Sequence, residues 1–256
     1  MSRSLWLAVS LLALSSAVAA EPDVTSQLAA GDAALSTFDL TRAIAAYTEA
    51  VKTDSNSYEA NWRLARALVD QGTLSKDAND QKTLFQNAVT LAQTAVRLNP
   101  NGADGHIQLA IAVGKLALFL GGKQKVEMSK EVKTEAEMAM KLDPKADLPY
   151  HVLGVWNREM AELNWFLRKF AELLYGKFPA ASLEKAIESL QQASALAPNV
   201  VPHHVELGIT LAAARRWDEA NKELAHAVAM KNAWVTDDYY KDRARQTLER
   251  VKAHLN

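Results

Sequence analysis

The segment HVELGITLAAARRWDEANKELAHA, residues 204–227, contains two apolar patterns of helical period, separated by a polar turn at residues 215–218. The small and apolar residues that recur three or four positions apart are Leu207, Gly208, Leu211, Ala220, Leu224 and Ala227. This spacing places them on one face of each helix. Small residues let two antiparallel helices approach closely, and larger residues fill the space between them. The segment therefore predicts a helix–turn–helix unit.

Related patterns recur along the chain at about the 34-residue period of the tetratricopeptide repeat. The predicted units cover residues 24–57, 58–102, 103–146, 147–200 and 201–234. Three of them end on related phrases, which are RLNPN at 97–101, KLDPK at 141–145 and ALAPN at 195–199. Because proline cannot continue a helix, the three phrases mark one recurring helix end. An ordinary helical bundle with coincidental alanine spacing is the alternative, and the shared proline register disfavours it.

The three middle units are longer than the repeat requires. About ten extra residues, from Thr73 to Lys82, separate the halves of the second unit, and the fourth carries about twenty. The third resumes late, after Gly121-Gly122-Lys123. The pattern of residues 236–255 predicts a last helix that caps the end of the stack. The sequence thus predicts one all-α domain at residues 21–256, a tetratricopeptide-like α-solenoid of about five helix pairs with helical insertions and a C-terminal capping helix.

The composition excludes several classes of protein. The 256 residues include 29 Lys and Arg against 30 Asp and Glu, for a net charge of −1. A protein that neutralises many phosphates is usually strongly basic, so no nucleic-acid partner is predicted. The absence of cysteine excludes disulfides, thiolate nucleophiles and Cys-ligated zinc or iron–sulfur sites.

The first twenty residues, MSRSLWLAVSLLALSSAVAA, have the layout of a cleavable secretory signal. Arg3 supplies positive charge, an apolar stretch follows from Leu5, and the segment ends on small residues. An uncleaved anchor is the alternative, but the apolar stretch is shorter than the roughly 20 residues that span a bilayer. We therefore expect a signal peptide at residues 1–20, an exported protein of the periplasm or the exterior, and no stable membrane insertion after cleavage.

A family resemblance lies in the fourth unit, GVWNREMAELNWFLRKFAELLYGKFPAASLEKAIESLQQASALAP at residues 154–198. The residues that carry it are Gly154, Trp156, Leu163, Trp165, Arg168, Ala171, Tyr175, Gly176, Pro179, Ser182, Glu184, Ala186, Ala193 and Pro198. The segment resembles the regulator of microtubule dynamics protein family, whose hallmark is a helical insertion between the two helices of this repeat. Looser similarity extends over roughly residues 58–232.

The resemblance implies a tetratricopeptide-like fold without a known catalytic activity or cofactor. Animal members are associated with microtubules, spindle poles or organelle contact sites, and they carry N-terminal membrane anchors. This chain departs from them at its start, where an export signal is predicted, so it resembles an exported bacterial member. Since an exported bacterial protein would meet no microtubule, the expectation carries over the fold and the insertion alone.

The insertion at residues 164–178 concentrates aromatic side chains with basic residues between them, so Trp165, Arg168 and Lys169 are candidate partner-binding residues. One interpretation is a docking element whose aromatics and guanidinium group grip a partner. The other is an extra helix whose aromatics pack on the solenoid. Solenoids of this type bind peptides in a concave groove lined by their first helices. The groove candidates that the repeat pattern indicates are Arg63, Asp70, Ile107, Ile111, His151, Val155 and Arg158.

No motif of a catalytic or metal centre is present. His203 and His204 are adjacent and therefore point about 100° apart on a helix, so no metal site is predicted. Gly121-Gly122-Lys123 lacks the first glycine and the Ser or Thr of a phosphate loop. The sequence predicts a non-enzymatic scaffold, without cofactor, that binds a protein or peptide partner. The alternatives are a self-associating structural module, and a small-ligand receptor with a pocket under the insertion.

Overall fold

The computed structural model describes residues 23–177 and 179–255, and this part of the chain contains twelve α-helices and no strand. The helices are α1 (Val24–Ser36), α2 (Leu40–Thr53), α3 (Tyr58–Leu74), α4 (Ala78–Leu98), α5 (Ala103–Leu120), α6 (Gly122–Leu142), α7 (Leu148–Ala161), α8 (Trp165–Tyr175), α9 (Leu183–Leu196), α10 (Val201–Ala213), α11 (Trp217–Ala229) and α12 (Asp237–Leu255). The predicted all-α fold is confirmed. The predicted signal at residues 1–20 lies outside the described residues, as does Phe178.

The helices pair as the repeat pattern predicts. The antiparallel pairs are α1 with α2, α3 with α4, α5 with α6, α7 with α9 and α10 with α11, while α12 packs on α10 and α11. Side-chain oxygens cap several N-termini, as Asp39 does for α2 and Ser182 for α9. These caps satisfy backbone N–H groups that the first turn of a helix leaves without partners.

Close approach between paired helices depends on small residues. A Cβ added at Gly154 would lie 2.5 Å from Leu190 Cγ, and one added at Gly208 would lie 2.5 Å from Leu224 Cγ. Both leucines are fully buried. The glycine of the first helix is therefore the hole that receives a leucine of the second, in two successive repeats.

The extra residues of the second and third repeats form additional helical turns. Helices α4 and α6 each have 21 residues, whereas α2 has 14 and α11 has 13. The fourth repeat differs, since its insertion forms the separate helix α8 of 11 residues. This helix packs on α6, where Tyr175 Oη lies 2.8 Å from Ser129 Oγ.

The recurring proline phrases share one contact. The carbonyl oxygens of Pro100 and Pro198 lie 2.8 and 2.9 Å from the Nε2 atoms of His106 and His204, six residues further on. At the remaining phrase, KLDPK, the hydroxyl of Tyr150 donates to the carbonyl of Pro144 at 3.2 Å. In each phrase, the aromatic side chain six residues after the proline makes a hydrogen bond with the proline carbonyl. His106 and His204 therefore have a structural role at the boundary between repeats.

The end of the solenoid returns to its beginning. Trp234 and Val235, in the turn before α12, pack against the apolar cluster formed by α1, α2 and α3. Helix α5 is the one helix among residues 23–177 and 179–255 that is long and apolar enough to cross a membrane, and 56% of that stretch is buried in the protein. Helix α5 and the turn before α12 line the same cavity on the inner side of the solenoid.

Candidate functional site

The concave side of the solenoid encloses a cavity of about 870 Å³. Its wall comes mainly from the first helices α3, α5, α7 and α10, together with α12 and the turn before it, and helices α4 and α6 also contribute side chains. Apolar side chains that line it include Val69, Ile111, Leu118, Val155 and Trp156. Polar side chains from each of these helices interrupt the apolar wall, so the cavity can both bury a ligand and orient it.

Glu206 holds two arginines at one end of the cavity. Arg158 Nη2 lies 2.7 Å from Glu206 Oε2, and Arg243 Nη1 donates to Glu206 Oε1. Glu206 and Arg158 are 4% and 5% exposed. Burial alone would raise the pKa of Glu206, but the charges of Arg158 and Arg243 outweigh it and hold that pKa far below its ordinary value. The three residues join α7, α10 and α12 through one buried ion network.

Asp147, His203 and His151 form a chain of hydrogen bonds that ends in the cavity. His203 Nε2 lies 2.6 Å from Asp147 Oδ2, and His203 Nδ1 lies 2.9 Å from His151 Nδ1. Burial lowers the pKa of His151 to about 3, and the neighbouring His203, Lys115 and Arg158 contribute in the same direction. His151 is therefore an uncharged ring at neutral pH.

Lys115 of α5 lines the cavity, and its ammonium group donates to the hydroxyl of Tyr240 at 3.1 Å. Burial opposes its charge. Even so, Tyr240, Tyr239 and Glu206 hold the pKa of Lys115 above its ordinary value. Lys115 is thus a cation at neutral pH, and its direct partner is a phenol.

Trp234 closes the cavity by docking on α3. Its indole Nε1 donates to Asp70 Oδ2 at 2.9 Å, and Arg66 lies over its ring at 4.0 Å from the ring centroid. Burial raises the pKa of Asp70 to about 6, against the opposing charges of Arg66 and Lys115 and the bond from Trp234. We call these three residues, Arg66, Asp70 and Trp234, the latch.

The raised pKa of Asp70 predicts that Asp70→Asn stabilises the protein at neutral pH. Between pH 4 and 6 the folded state binds a proton that the unfolded state has released, so stability of the wild type falls as pH rises through this window. The asparagine keeps the acceptor for Trp234 without the charge. We expect the free energy of unfolding to rise by about 2–3 kcal/mol at pH 7.5 and to match the wild type near pH 4.

Urea denaturation at a series of pH values measures this difference. Glu188→Gln, at an exposed position on α9, is the matched control because it removes a carboxylate from solvent. An Asp70→Asn variant that is no more stable than the wild type at pH 7.5 would contradict the assignment.

The structure divides the residues that the sequence singled out for partner binding. Asp70, His151 and Arg158 line the cavity, as do Ile111 and Val155. Arg63 does not line it, because its guanidinium pairs with Asp32 at 2.6 Å and with Glu59 at 2.9 Å. Ile107 is buried in the core. Arg158 is committed to Glu206, so its first role is structural.

Helix α8 does not line the cavity, so the pocket that the sequence placed under the insertion lies instead in the concave groove. The two interpretations of the α8 aromatics each describe one face of the helix: one face packs on the solenoid, and the other is exposed and available for docking. Phe170 and Tyr175 pack on the core, whereas Trp165, Phe166 and Leu173 are 74%, 57% and 81% exposed. The remaining two candidates, Arg168 and Lys169, lie exposed on α8, where Lys169 Nζ pairs with Glu172 at 2.7 Å.

Sequence reasoning missed Lys115, Tyr240, His203 and Trp234 as members of the site. Lys115 follows Ile111 by four residues, so the helical period that placed Ile111 in the groove could have placed Lys115 there. The contacts of Trp234 and Tyr240 cross the whole solenoid and have no local signal. Among residues 23–177 and 179–255, no group of three or more acidic or histidine side chains is arranged to hold a metal ion.

The family described as regulator of microtubule dynamics protein 1-3 matches residues 27–252 of the sequence. The chain belongs to this family. Regulator of microtubule dynamics protein 1 of Pongo abelii is 31% identical over 147 residues, which are 57% of this chain and 47% of the relative. Human regulator of microtubule dynamics protein 2 is 28% identical over 140 residues, which are 55% of this chain and 34% of that protein.

The chain spans about half the length, or less, of these curated relatives of the regulator of microtubule dynamics family. The relatives are named as regulators. Among solved structures, a thermophilic tetratricopeptide-repeat protein of Thermus thermophilus superimposes with a TM-score of 0.63 at 19% identity, covering 88% of this chain and 99% of that one. This similarity shows the fold, an all-α tetratricopeptide-like solenoid.

Proposed function

We propose that this protein is a scaffold that binds a short segment of a partner protein in its concave cavity. The observation that carries the proposal is the cavity itself, whose volume of about 870 Å³ falls within the roughly 300–1,000 Å³ of typical ligand pockets. Its apolar wall can bury side chains, while Lys115, His151 and Asp70 offer polar groups that fix orientation. A closed groove of this kind suits an extended or helical segment better than a folded surface.

The exposed face of α8 is a second contact surface in this proposal. Trp165, Phe166 and Leu173 present apolar area to solvent, and exposed aromatics of this size are typical of interfaces. Because α8 lies outside the cavity, this surface would contact a part of the partner other than the bound segment. Self-association through the same face stays a prediction.

Export is also part of the proposal. Support comes from the layout of residues 1–20, in which a positive charge, a short apolar stretch and small residues follow one another. An exported protein would act on partners of the periplasm or the exterior. Export, and with it a bacterial origin, stays a prediction.

Site-specific photo-crosslinking tests groove binding. A benzoylphenylalanine replaces Val155, which lines the cavity, or Met138, which is exposed on α6 away from it. We expect adducts with one partner protein from position 155 and none from position 138. Equal adducts from both positions, or none from position 155, would contradict groove binding.

A small-ligand receptor is the second candidate, because the latch of Trp234 on Asp70 encloses the cavity more than an open solenoid does. Native mass spectrometry of the purified chain distinguishes the two. A bound small molecule that is absent after Ile111→Trp, which fills the cavity, would favour the receptor.

A further inference from the structure

The turn that connects α11 to α12, residues 230–236, closes the solenoid into a ring. The first helices and α12 form most of the wall of the cavity, and the tip of this turn docks on α3 at the other end of the stack. A closed ring admits the end of a chain, which can thread through it. The middle of a polypeptide continues on both sides, so it enters only if the ring opens at one point.

The turn is held firmly on its α12 side. The carboxylate of Asp237 accepts from the backbone N–H groups of Ala233 at 2.7 Å and of Trp234 at 2.8 Å. Lys241 donates to the side chain of Asn232 at 2.6 Å and also to the backbone carbonyl of the residue that ends α11. These bonds hold the turn in one shape, so we expect it to move together with α12.

The contacts of the turn with α3 are weaker than those with α12. The indole of Trp234 donates one hydrogen bond, to Asp70 at 2.9 Å, and its ring stacks with the guanidinium group of Arg66. Trp234 and Val235 also pack on the apolar cluster of α1, α2 and α3, but both remain half-buried. Within a helix pair, by contrast, Leu190 is fully buried. Regions with few buried apolar contacts open at a lower free energy than the core, so the latch is the weak seam of the ring.

Charges on the two sides of this seam oppose its closure. Burial and the nearby carboxylate of Asp237 raise the pKa of Asp70 to about 6. Arg66 on the same helix, Lys115 on α5 and the bond from Trp234 act in the opposite direction without cancelling this effect. Within residues 23–177 and 179–255, the buried Oδ1 atom of Asp237 has no hydrogen-bond partner. Opening the seam would hydrate Asp70 and separate the two carboxylates, so an ionised Asp70 favours the open ring.

We propose that the latch is the gate of the cavity: release of Trp234 from α3 opens the ring sideways and lets an internal segment of a partner protein enter. Return of Trp234 to α3 then encloses that segment. Ionisation of Asp70 shifts the equilibrium toward the open ring, so the gate opens more often at pH 8 than at pH 5. This inference rests on the proposed function, because it describes how the bound segment reaches the cavity.

Fluorine NMR of the protein labelled with 5-fluorotryptophan measures the opening without any ligand. The sequence has six tryptophans, and the resonance of Trp234 is identified by its loss in Trp234→Phe. Saturation transfer then detects the open state as a second resonance in exchange with the first. We expect the ratio of open to closed ring to rise about tenfold from pH 5 to pH 8, given a pKa of about 6 in the closed ring and 3.8 in the open one. A single state of Trp234 at every pH would overturn the gate.

Asp70→Asn is the matched variant for the charge, because it keeps an acceptor for the indole and cannot ionise. Its ratio of open to closed ring should stay constant from pH 5 to pH 8. Glu188→Gln removes an exposed carboxylate of α9 and should keep the pH dependence of the wild type. If the pH dependence persists in Asp70→Asn, the charge of Asp70 does not control the gate.

A covalent lock tests whether entry requires the opening. The sequence has no cysteine, so Arg66→Cys and Trp234→Cys introduce a single pair, which a short bis-maleimide joins across the seam. The same double variant treated with N-ethylmaleimide is the unlocked control, because it carries the same substitutions without the bridge. With benzoylphenylalanine at position 155, the locked protein should give much less of the partner adduct than the unlocked protein.

The results also separate the gate from groove binding itself. Equal adducts from the locked and unlocked proteins would overturn sideways entry, since the segment would then thread into a closed ring. If adducts form at position 155 while Trp234 shows one state, groove binding stands and the gate fails. If Trp234 opens as expected but the wild type gives no adduct, groove binding fails and the opening of the latch stands.

Discussion

Glu206→Gln is expected to lower the free energy of unfolding by about 3–5 kcal/mol, because it removes the closest counter-charge of the buried Arg158 and of the half-buried Arg243. Arg158 would then have only the more distant Glu159 carboxylate, at 3.6 Å. Arg158 and Arg243 both contact the Glu206 carboxylate, and Arg158 is nearly as buried as Glu206 itself. The glutamine has the same shape, so packing is unchanged and only the charge is lost. Urea denaturation followed by circular dichroism measures the difference.

Two controls separate the buried network from ordinary ion pairs. Glu137→Gln breaks the exposed pair with Lys133 and should cost less than about 1 kcal/mol. Replacing Arg158, Glu206 and Arg243 together by Met, Leu and Met should recover most of the stability, because no uncompensated charge is left. If Glu206→Gln costs no more than Glu137→Gln, the network does not hold α7, α10 and α12 together.

The network also has a definite pH dependence. Because the pKa of Glu206 is depressed in the folded state, its contribution is present above its ordinary value of 4.5 and is lost as pH falls below it. Asp70 acts in the opposite direction, since its raised pKa destabilises the fold as pH increases through about 6. Both variants should therefore differ from the wild type at neutral pH, with opposite signs, and both differences should shrink as pH falls toward 4 and below.

The repeat was predictable from the sequence because its signals are local. The spacing of Gly208 and Leu224 and the prolines at the ends of α4, α6 and α9 are set within one helix pair. Each helix pair contacts mainly its neighbours, so a pattern found in one unit transfers to the next. The insertion at α8 was also predicted, since its aromatics follow a helical period of their own.

The chemistry of the cavity was less predictable, because its contacts join residues that are far apart in the chain. Trp234 and Asp70 are separated by 164 positions, and Lys115 and Tyr240 by 125. Helical periodicity tells which residues face the groove, as it did for Asp70 and His151. It does not tell which of them pair, because pairing depends on the curvature that accumulates over five repeats. Arg158 was therefore predicted to contact a partner, although its charge is balanced inside the protein.

Leu190→Ala is expected to cost about 2–5 kcal/mol, since it removes a fully buried side chain from the contact between α7 and α9. Gly154→Ala should cost about 1–3 kcal/mol, because its new Cβ would lie 2.5 Å from Leu190 Cγ and 3.1 Å from the Ala186 carbonyl oxygen. In the double variant the new methyl group enters the space that Leu190 has left. The double variant should therefore lose less stability than the two single variants together.

Gly114→Ala is the control for the glycine, because both lie in the first helix of a repeat. A Cβ at Gly114 would meet only the Val132 methyl groups at 3.8 and 3.9 Å, which is ordinary contact. The variant should gain about 0.5–1 kcal/mol, since alanine loses less backbone entropy in a helix than glycine. Opposite signs at positions 114 and 154 would show that the glycine of the fourth repeat is required by its leucine and not by helix geometry. Additive losses at Gly154 and Leu190 would instead mean that the two positions do not share one packing site.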